Sequence, residues 1–385
     1  MIIICEPLCR GFEHVEVNAA LLAVVHFAFP DEKVLFLAEE EHLERVSKTL
    51  LLHSVTGVEF LPVEIPLRLS SFKTVPAELR LCREVFELAN KNGVSKVIFS
   101  TITSPGLISV KTIIREFKEI KCVVIPHHIL ETLIERPSFR KPLEIPFWFR
   151  FWFFWRNTDR LKYLLLGSSI QKQLTFLFPR IESRIRSIDL PYFYKEPDEY
   201  IPKKDNIIRF GSFGVGHRGK GTDLFFKMAD EIYHKKTRYQ HKFVLIGHIN
   251  DRGIRDLSSD FVDVPSPDTP LVRKDFDLLA RNVDYAIFLY MPTSYRLTAS
   301  GALFDAFSHL KPVIALRNPF FEYYFETMGD IGYLCDSYDE IKEVVIEILE
   351  NGVTERYMNQ RDNILRGREQ INICELAKRF KEIWL

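Results

Sequence analysis

The residues best suited to chemistry lie in one turn, Gly211-Ser-Phe-Gly214-Val-Gly216-His-Arg218-Gly219-Lys220-Gly221-Thr222-Asp223. An apolar run precedes it and an amphipathic run follows, so the pattern predicts a strand, a glycine turn and a helix N-terminus. Gly216 and Gly219 permit close backbone approach, the helix start offers free amides, and Arg218 and Lys220 add two cations. Such a turn suits an anion, and a phosphate or diphosphate is the natural ligand. The plain alternative is a glycine-rich turn with solvated charges.

Two better-known patterns nearly match. Gly214-x-Gly216-x-x-Gly219 has dinucleotide spacing, but the next strand ends in Leu245-Ile246-Gly247-His248 and offers no acid for a ribose hydroxyl. Gly214-x4-Gly219-Lys220 approaches a Walker A loop, but Gly221 stands where a magnesium ligand needs Ser or Thr. A generic diphosphate cradle, with Gly247 and His248 beside it, fits better than either.

A second constellation runs from Tyr295 to Ala315 and contains Arg296, Thr298, Ser300, Gly301, Ala302 and Asp305. A Thr/Ser/Gly turn before an apolar helix again presents amides and hydroxyls to an anion, while Asp305, one turn in, could accept from a sugar hydroxyl. Read alone, it is equally an ordinary capped helix leading to a strand.

Together with Asp284-Tyr-Ala-Ile-Phe-Leu between them, these segments resemble the donor-binding domain of GT-B glycosyltransferases, most closely the family 4 (group 1) type, over residues 207–345. In that family an Arg and a Lys-Gly pair hold the donor diphosphate, matched here by Arg218 and Lys220-Gly221. An acid-bearing helix and a proline strand entry follow, matched by Phe304-Asp305-Ala306 and Lys311-Pro312-Val313. The resemblance implies that Asp305 binds the ribose and that Ser300-Gly301-Ala302 faces the donor phosphate or sugar. Leu297 and Asp305 stand where the family has two glutamates, and Leu310 replaces a small residue before the proline. The retaining or inverting outcome therefore stays open.

The first half then has to supply the acceptor site. Cys9-Arg-Gly11-Phe-Glu13-His14 follows the first strand, where several GT-B enzymes have a glycine-containing loop and inverting members a His base. His14 has the intrinsic pKa to take a proton from an acceptor hydroxyl, or it simply packs beside a helix. Val123-Val-Ile-Pro126-His127-His128 resembles the strand-end His near the donor sugar. Alternation along an extended strand lets one of the pair face a cleft, and His127 is the choice.

All but one position of Phe147–Trp155 is aromatic, with Arg136, Arg140, Lys141, Arg156, Arg160 and Lys162 around it. Aromatics mixed with cations suit peripheral contact with an anionic membrane, and so a lipid-linked acceptor. A buried helix or a dimer face would use the same residues.

The elements needed to position these groups are legible as short apolar runs alternating with amphipathic ones, the pattern of parallel sheets wrapped by helices. Strands are expected at 2–5, 34–38, 58–63, 97–100, 122–125 and 163–167, and helices at 17–29, 76–90 and 110–117. Around 191–204 the composition turns to Tyr, Pro, Lys, Glu and Asp, as in a linker. Strands resume at 207–213, 243–247, 261–264, 286–290, 313–316 and 332–335, with helices at 223–233, 274–282, 302–309 and 338–351. The fold class is α/β, with two Rossmann-like domains in GT-B architecture and a cleft between them. Residues 1–195 would bind acceptor and 205–365 the nucleotide-sugar, while 366–385 would return as a helix to the first domain.

The chain has 385 residues, with 52 Lys+Arg against 52 Asp+Glu. This balance removes the basic field of a nucleic-acid binder. The six cysteines form no Cys-x-x-Cys pair and sit in apolar or amphipathic runs, as reduced core thiols do. Met1-Ile-Ile-Ile-Cys-Glu reads as a first strand and not a signal peptide, and no apolar stretch is long enough to span a bilayer. These readings place the chain in the cytoplasm, free or at the inner face of the membrane.

Taken together, these readings point to a metal-independent, hexosyltransferase-like glycosyltransferase. Its only small-molecule requirement is the nucleoside diphosphate sugar, its acceptor is a saccharide or lipid-linked saccharide of cell-surface polysaccharide or glycolipid assembly, and its oligomeric state is open. An NAD-dependent oxidoreductase or epimerase using Gly214–Gly219, or a non-catalytic sugar-nucleotide binder, are the other readings.

Overall fold

The computed structural model describes residues 1–66, 74–127, 129–135, 142–197, 205–257, 259–291 and 295–384, with backbone only for 142–144. Contacts divide the chain into two compact units. The first comprises Met1–Phe193 with Leu297–Ala299 and the stretch from Ile371 onward; the second comprises Tyr194–Arg296 and Ser300–Gln370.

In the first unit the strands are β1 (Ile2–Cys5), β2 (Val34–Ala38), β3 (Val58–Pro62), β4 (Lys96–Phe99), β5 (Lys121–Val124), β6 (Leu161–Leu166) and β7 (Ile185–Ile188). They form a seven-stranded parallel sheet of order β3-β2-β1-β4-β5-β6-β7, with Ile2 paired to both Val34 and Lys96. The β1 side chains are fully buried because helices cover both faces. Those helices are α1 (Val15–Ala28), α2 (Glu40–Leu52), α3 (Val75–Lys91), α4 (Ser104–Ile113), α5 (Phe149–Phe154) and α6 (Ser168–Leu177).

The second unit contains β8 (Ile207–Phe213), α7 (Thr222–Tyr233), β9 (Gln240–Ile246), α8 (Arg252–Arg255), β10 (Val262–Asp263), α9 (Arg273–Asn282) and β11 (Tyr285–Phe288). After these come α10 (Gly301–Ser308), β12 (Val313–Leu316), α11 (Pro319–Met328), β13 (Gly332–Cys335), α12 (Tyr338–Asn351) and α13 (Glu355–Glu369). Its six-stranded parallel sheet has the order β10-β9-β8-β11-β12-β13. The last helix, α14 (Ile373–Lys381), belongs to the first unit. There Phe380 packs edge-on to Phe29 at 6.4 Å, Arg379 pairs with buried Asp189 at 3.3 Å, and Lys162 donates to the Ile383 carbonyl at 2.9 Å.

Both sheets are doubly wound. Chain order reverses between β1 and β4 in the first and between β8 and β11 in the second. Loops leaving the carboxyl ends of those strand pairs face a crevice, where open α/β sheets bind ligands.

The helix expected at 110–117 is instead α4, because the Thr103 hydroxyl accepts from the Gly106 amide at 2.9 Å and Pro105 occupies the first turn. The strand expected at 261–264 pairs only through Val262 and Asp263. The linker expected at 191–204 spans the boundary between the units at Phe193 and Tyr194, and its 198–204 portion lies outside the described residues. The stretch returning to the first unit starts at Ile371, since α13 still belongs to the second.

The aromatic run divides by helical geometry. Phe149 and Phe153, one turn apart in α5, are buried in the first unit's core, while Phe151, Phe154 and Trp155 are exposed. Lys111 of α4 is buried and donates to the carbonyls of Trp152, Phe153 (3.2 Å) and Trp155 (2.7 Å). These are orphan acceptors at the end of α5. Burial, with Arg184 adding, lowers the Lys111 ammonium to about 7. Arg136, Arg140 and Lys141 lie outside the described residues.

Candidate functional site

In the second unit the glycine turn is dictated by close backbone approach. Gly214, at φ +86°, donates to the Ile246 carbonyl at 2.9 Å, and Gly216 donates to the His248 carbonyl at 2.7 Å. A Cβ on Gly247 would fall 1.9 Å from the Gly214 carbonyl oxygen, so no side chain fits there. Gly221 is left-handed at φ +67°, and a Cβ on it would lie 2.2 Å from the Leu289 carbonyl oxygen. Arg218–Lys220 form a single 3-10 turn leading into α7. The Thr222 hydroxyl accepts from the His217 amide at 3.0 Å and donates to the His217 carbonyl at 3.2 Å. That hydroxyl is committed to holding the turn.

This packing brings Lys220 back over the turn. A Cβ on Gly214 would be 3.0 Å from Lys220 Nζ and 3.7 Å from the Ala302 Cβ, so the turn, the lysine and the start of α10 converge. Lys220 Nζ also lies 5.7 Å from the Tyr290 ring centroid. The Tyr290 hydroxyl bonds the Ser300 hydroxyl at 2.7 Å, and its ring stacks on Tyr295 at 4.4 Å. Ser300 is the N-cap residue of α10 but engages its hydroxyl with Tyr290, so its side chain does not cap the first amides of the helix. A Cβ on Gly301 would meet nothing within 4 Å among the described residues, so there is room beside the first residue of α10. Small residues, an ammonium and uncapped amides thus meet at the β8/β11 switch point.

The ammonium has no ion-pair partner among the described residues, and desolvation lowers it to about 8, with the Asp305 carboxylate pulling the other way. A bound anion favours the charged form and therefore raises this value. Affinity for a diphosphate is expected to be flat below about pH 8 and to fall by up to tenfold per pH unit above it. Calorimetric titration between pH 6.5 and 9.5 checks this, and equal affinity across the range would contradict it.

The remaining expected donor-site residues occupy distinct positions. Arg218 is exposed, with one Nη 3.5 Å from where a Gly253 Cβ would sit. Gly219 lies within the 3-10 turn. His248, just beyond β9, is lowered by desolvation and by Arg255. Asp305 sits in α10 and pairs with Arg273 Nη1 at 2.8 Å. Arg296 is half-buried at the edge of the second unit. Thr298 falls in Leu297–Ala299, which joins the first unit, where Leu297 is fully buried and its amide donates to the Glu131 carboxylate at 2.7 Å. Tyr290 and Arg273 were not anticipated from the sequence. Tyr290 had a signal, a polar-tipped residue ending a strand next to the second motif; Arg273 had none.

The first unit brings its two expected histidines together. His14 and His127, after β1 and β5, have ring centroids 5.1 Å apart; His128 lies outside the described residues. His14 is left-handed at φ 52° and starts α1 without a side-chain cap. Desolvation holds His14 below its ordinary range, with Glu6 opposing and His42 adding, which favours the neutral imidazole a general base requires.

Below that loop lies a buried polar network that sequence reading missed. Glu6, fully buried, accepts from the Leu8 amide (2.9 Å), the Cys9 amide (3.0 Å), Asn18 Nδ2 (3.2 Å), the Ser100 hydroxyl (2.8 Å) and the Thr101 hydroxyl. Burial raises its pKa, but these bonds outweigh burial and the net shift is downward. Asn18 Nδ2 also donates to His42 Nε2 at 2.9 Å, which leaves His42 Nδ1–H to donate to the Gly11 carbonyl at 3.0 Å. A buried carboxylate thereby anchors the Gly11–His14 loop.

No protein-family model matches the chain and no curated protein matches it. Solved structures do. A lipopolysaccharide outer core galactosyltransferase, WaaB, in its apo form is 14% identical, with a TM-score of 0.62 over 100% of this chain and 98% of that one. Anabaena Alr3699/HepE in complex with UDP and glucose is 13% identical, with a TM-score of 0.63 over 99% of each chain. The fold is GT-B. WaaG, a glycosyltransferase involved in lipopolysaccharide biosynthesis, is 12% identical, with a TM-score of 0.61 over 100% of this chain and 99% of that one. A fold hosts many activities, so function has to be argued from the site.

Proposed function

We propose that this protein is a glycosyltransferase that takes a sugar from a nucleoside diphosphate donor, bound by the second unit, to an acceptor bound by the first. The observation that carries the reading is the convergence of Lys220, the Gly214–Gly221 turn and the uncapped start of α10 at the β8/β11 switch point. A leaving diphosphate gains negative charge, and a fixed ammonium with helix amides stabilises it without reorganisation. Arg218, on the exposed side of the same turn, is a further cation for that charge, and no other cofactor enters this reading. The UDP and glucose in HepE, which shares the fold, support a nucleotide-sugar ligand. A nucleotide-dependent oxidoreductase is less well supported, since β9 leads into Gly247-His248 with no acid at the strand end for a ribose, and Asp251 beyond it accepts from the Gly253 amide at 2.9 Å to cap α8. In the first unit His14, with His127 beside it, takes the role of base toward the acceptor hydroxyl. The test is release of nucleoside diphosphate from a panel of nucleotide-sugars, with and without saccharide and lipid-linked acceptors and with and without chelator. Acceptor-dependent release supports transfer; absence of release with every donor overturns it.

The acceptor is assigned to a membrane surface. Phe151, Phe154, Trp155 and Phe176 are exposed, Phe176 at 81%, and Phe154 packs on Phe178 at 5.1 Å. Arg150 lies over Trp148 and Phe178, Arg156 lies over Trp155, and Lys172 and Arg180 are exposed nearby in sequence. Aromatic rings with cations suit the interface of an anionic bilayer. No helix of the described residues is long and apolar enough to cross a membrane. A Phe151→Ser, Trp155→Ser, Phe176→Ser protein is expected to bind phosphatidylglycerol vesicles at least ~10-fold more weakly at unchanged melting temperature. Unchanged sedimentation with vesicles would contradict this, and loss of self-association instead would assign the patch to a dimer.

A further inference from the structure

The family resemblance assigns Asp305 to the donor ribose, yet a carboxylate near Lys220 presents a physical problem. Left alone, the two would pair and cancel the charge that the diphosphate requires. In the structure they do not pair: Arg273 Nη1 holds Asp305 Oδ1 at 2.8 Å, and Lys220 remains unpaired among the described residues. Arg273 is itself fixed. Its Nη2 pairs with Asp277 Oδ1, one turn on in α9, at 3.0 Å, and its guanidinium lies 5.2 Å from the Phe276 ring. Asp277 is anchored in turn by His309 Nε2 at 3.1 Å and by the Lys195 ammonium. These bonds and charges outweigh desolvation and hold Asp277 well below the ordinary carboxylate range. With His309 lowered toward its neutral form by burial, Arg273 and Lys195 are the cations set directly on Asp277 and Asp305, and Lys220 feels the Asp305 charge without forming an ion pair among the described residues.

We propose that Arg273 is a positioning residue that draws Asp305 away from Lys220, so that the Asp305 carboxylate serves the ribose hydroxyls and Lys220 serves the diphosphate. The inference rests on the donor-site reading above and adds to it how that site separates its opposite charges.

The test is calorimetric binding of UDP, 2′-deoxy-UDP, 3′-deoxy-UDP and inorganic pyrophosphate, with the GDP and ADP pairs alongside, to wild type, Arg273→Gln, Arg273→Lys and Arg273→Gln/Asp305→Asn. Wild type is expected to prefer ribo over at least one deoxyribo form by about tenfold or more, as for loss of a hydrogen bond to a charged group. In Arg273→Gln that preference collapses, and pyrophosphate binds at least ~5-fold more weakly because the freed Asp305 pairs with Lys220. In the double variant pyrophosphate affinity recovers while ribose preference stays lost; a merely structural role for Arg273 gives no recovery. Arg273→Lys retains part of both. Retained ribose preference in Arg273→Gln, absence of recovery in the double variant, or a wild type that binds nucleotide without preferring ribose overturns the inference. If wild type binds none of the nucleotides nor pyrophosphate, the donor-site reading fails instead.

Discussion

Lys220→Met is expected to lower turnover by ~10²–10³ while leaving the melting temperature unchanged or slightly raised. The first half follows from charge development. Removing one fixed donor aimed at a developing anion typically costs ~2.7–4 kcal/mol of transition-state stabilisation. Lys220 is the ammonium that the second unit aims over its glycine turn without an ion-pair partner among the described residues. The second half follows from the same observation. Because desolvation lowers the folded-state pKa to about 8, below the ordinary lysine value, the charged form is disfavoured in the unliganded fold. Stability of the unliganded protein therefore rises with pH from about 8 toward the unfolded value of roughly 10.4, and the variant loses that rise. Steady-state kinetics and thermal melts on both proteins check the pair of statements. Ordinary turnover in Lys220→Met sinks the assignment of the site, and a large loss of stability makes the lysine structural.

Glu6→Gln is expected to destabilise the first unit by ~2–4 kcal/mol, the range for leaving one or two buried donors without their acceptor. Glu6 accepts from two backbone amides, two hydroxyls and Asn18, all directed at its two oxygens. An amide replaces one acceptor with a donor facing donors, so buried groups are left unsatisfied. At ~2–4 °C per kcal/mol for a unit of this size, the transition of the first unit should fall by roughly 10 °C while that of the second stays in place. The pH dependence has a definite sign. Glu6 is lowered in the fold, so its contribution is present above the unfolded value of roughly 4.3 and is lost as pH falls through the lower folded value. Calorimetry at pH 7 and below pH 4 measures both effects. A variant that melts like wild type would contradict the network's role. Activity should fall as well, because the same network reaches Gly11 through His42 and so fixes the loop that carries His14.

What the sequence disclosed and what it concealed follow from how local each requirement is. The glycine turn was legible because each constraint lies within a few residues or between adjacent strands: left-handed Gly221, crowded Gly247, and the lysine folding back on Gly214. The buried strands were legible because parallel strands covered on both faces read as unbroken apolar runs. Strand β7 was missed since Ile185-Arg-Ser-Ile sits at the sheet edge with Arg186 exposed. Helix α11 was missed because Asn318-Pro319 reads as a turn, whereas Asn318 Oδ1 caps the amides of Phe320 and Phe321, each at 3.0 Å. Helix α13 is polar enough to read as a loop, yet Gln360 and Arg361 are buried in it, bonded to Gly332 and Leu310. The supporting networks were illegible for another reason. Glu6 meets Ser100 across 94 positions and Arg273 meets Asp305 across 32, and nothing in local spacing announces such a pair.

The most direct test of the account is a thermal-shift titration of UDP, GDP, ADP, CDP and NAD against wild type and Lys220→Met, with and without magnesium. A ligand at ~100 times its Kd adds about 2.7 kcal/mol, enough to move a melting midpoint visibly. The account predicts that one nucleoside diphosphate raises the wild-type midpoint without magnesium, that NAD does not, and that the shift vanishes in Lys220→Met. A shift with NAD alone, or an equal nucleoside diphosphate shift in both proteins, would contradict it.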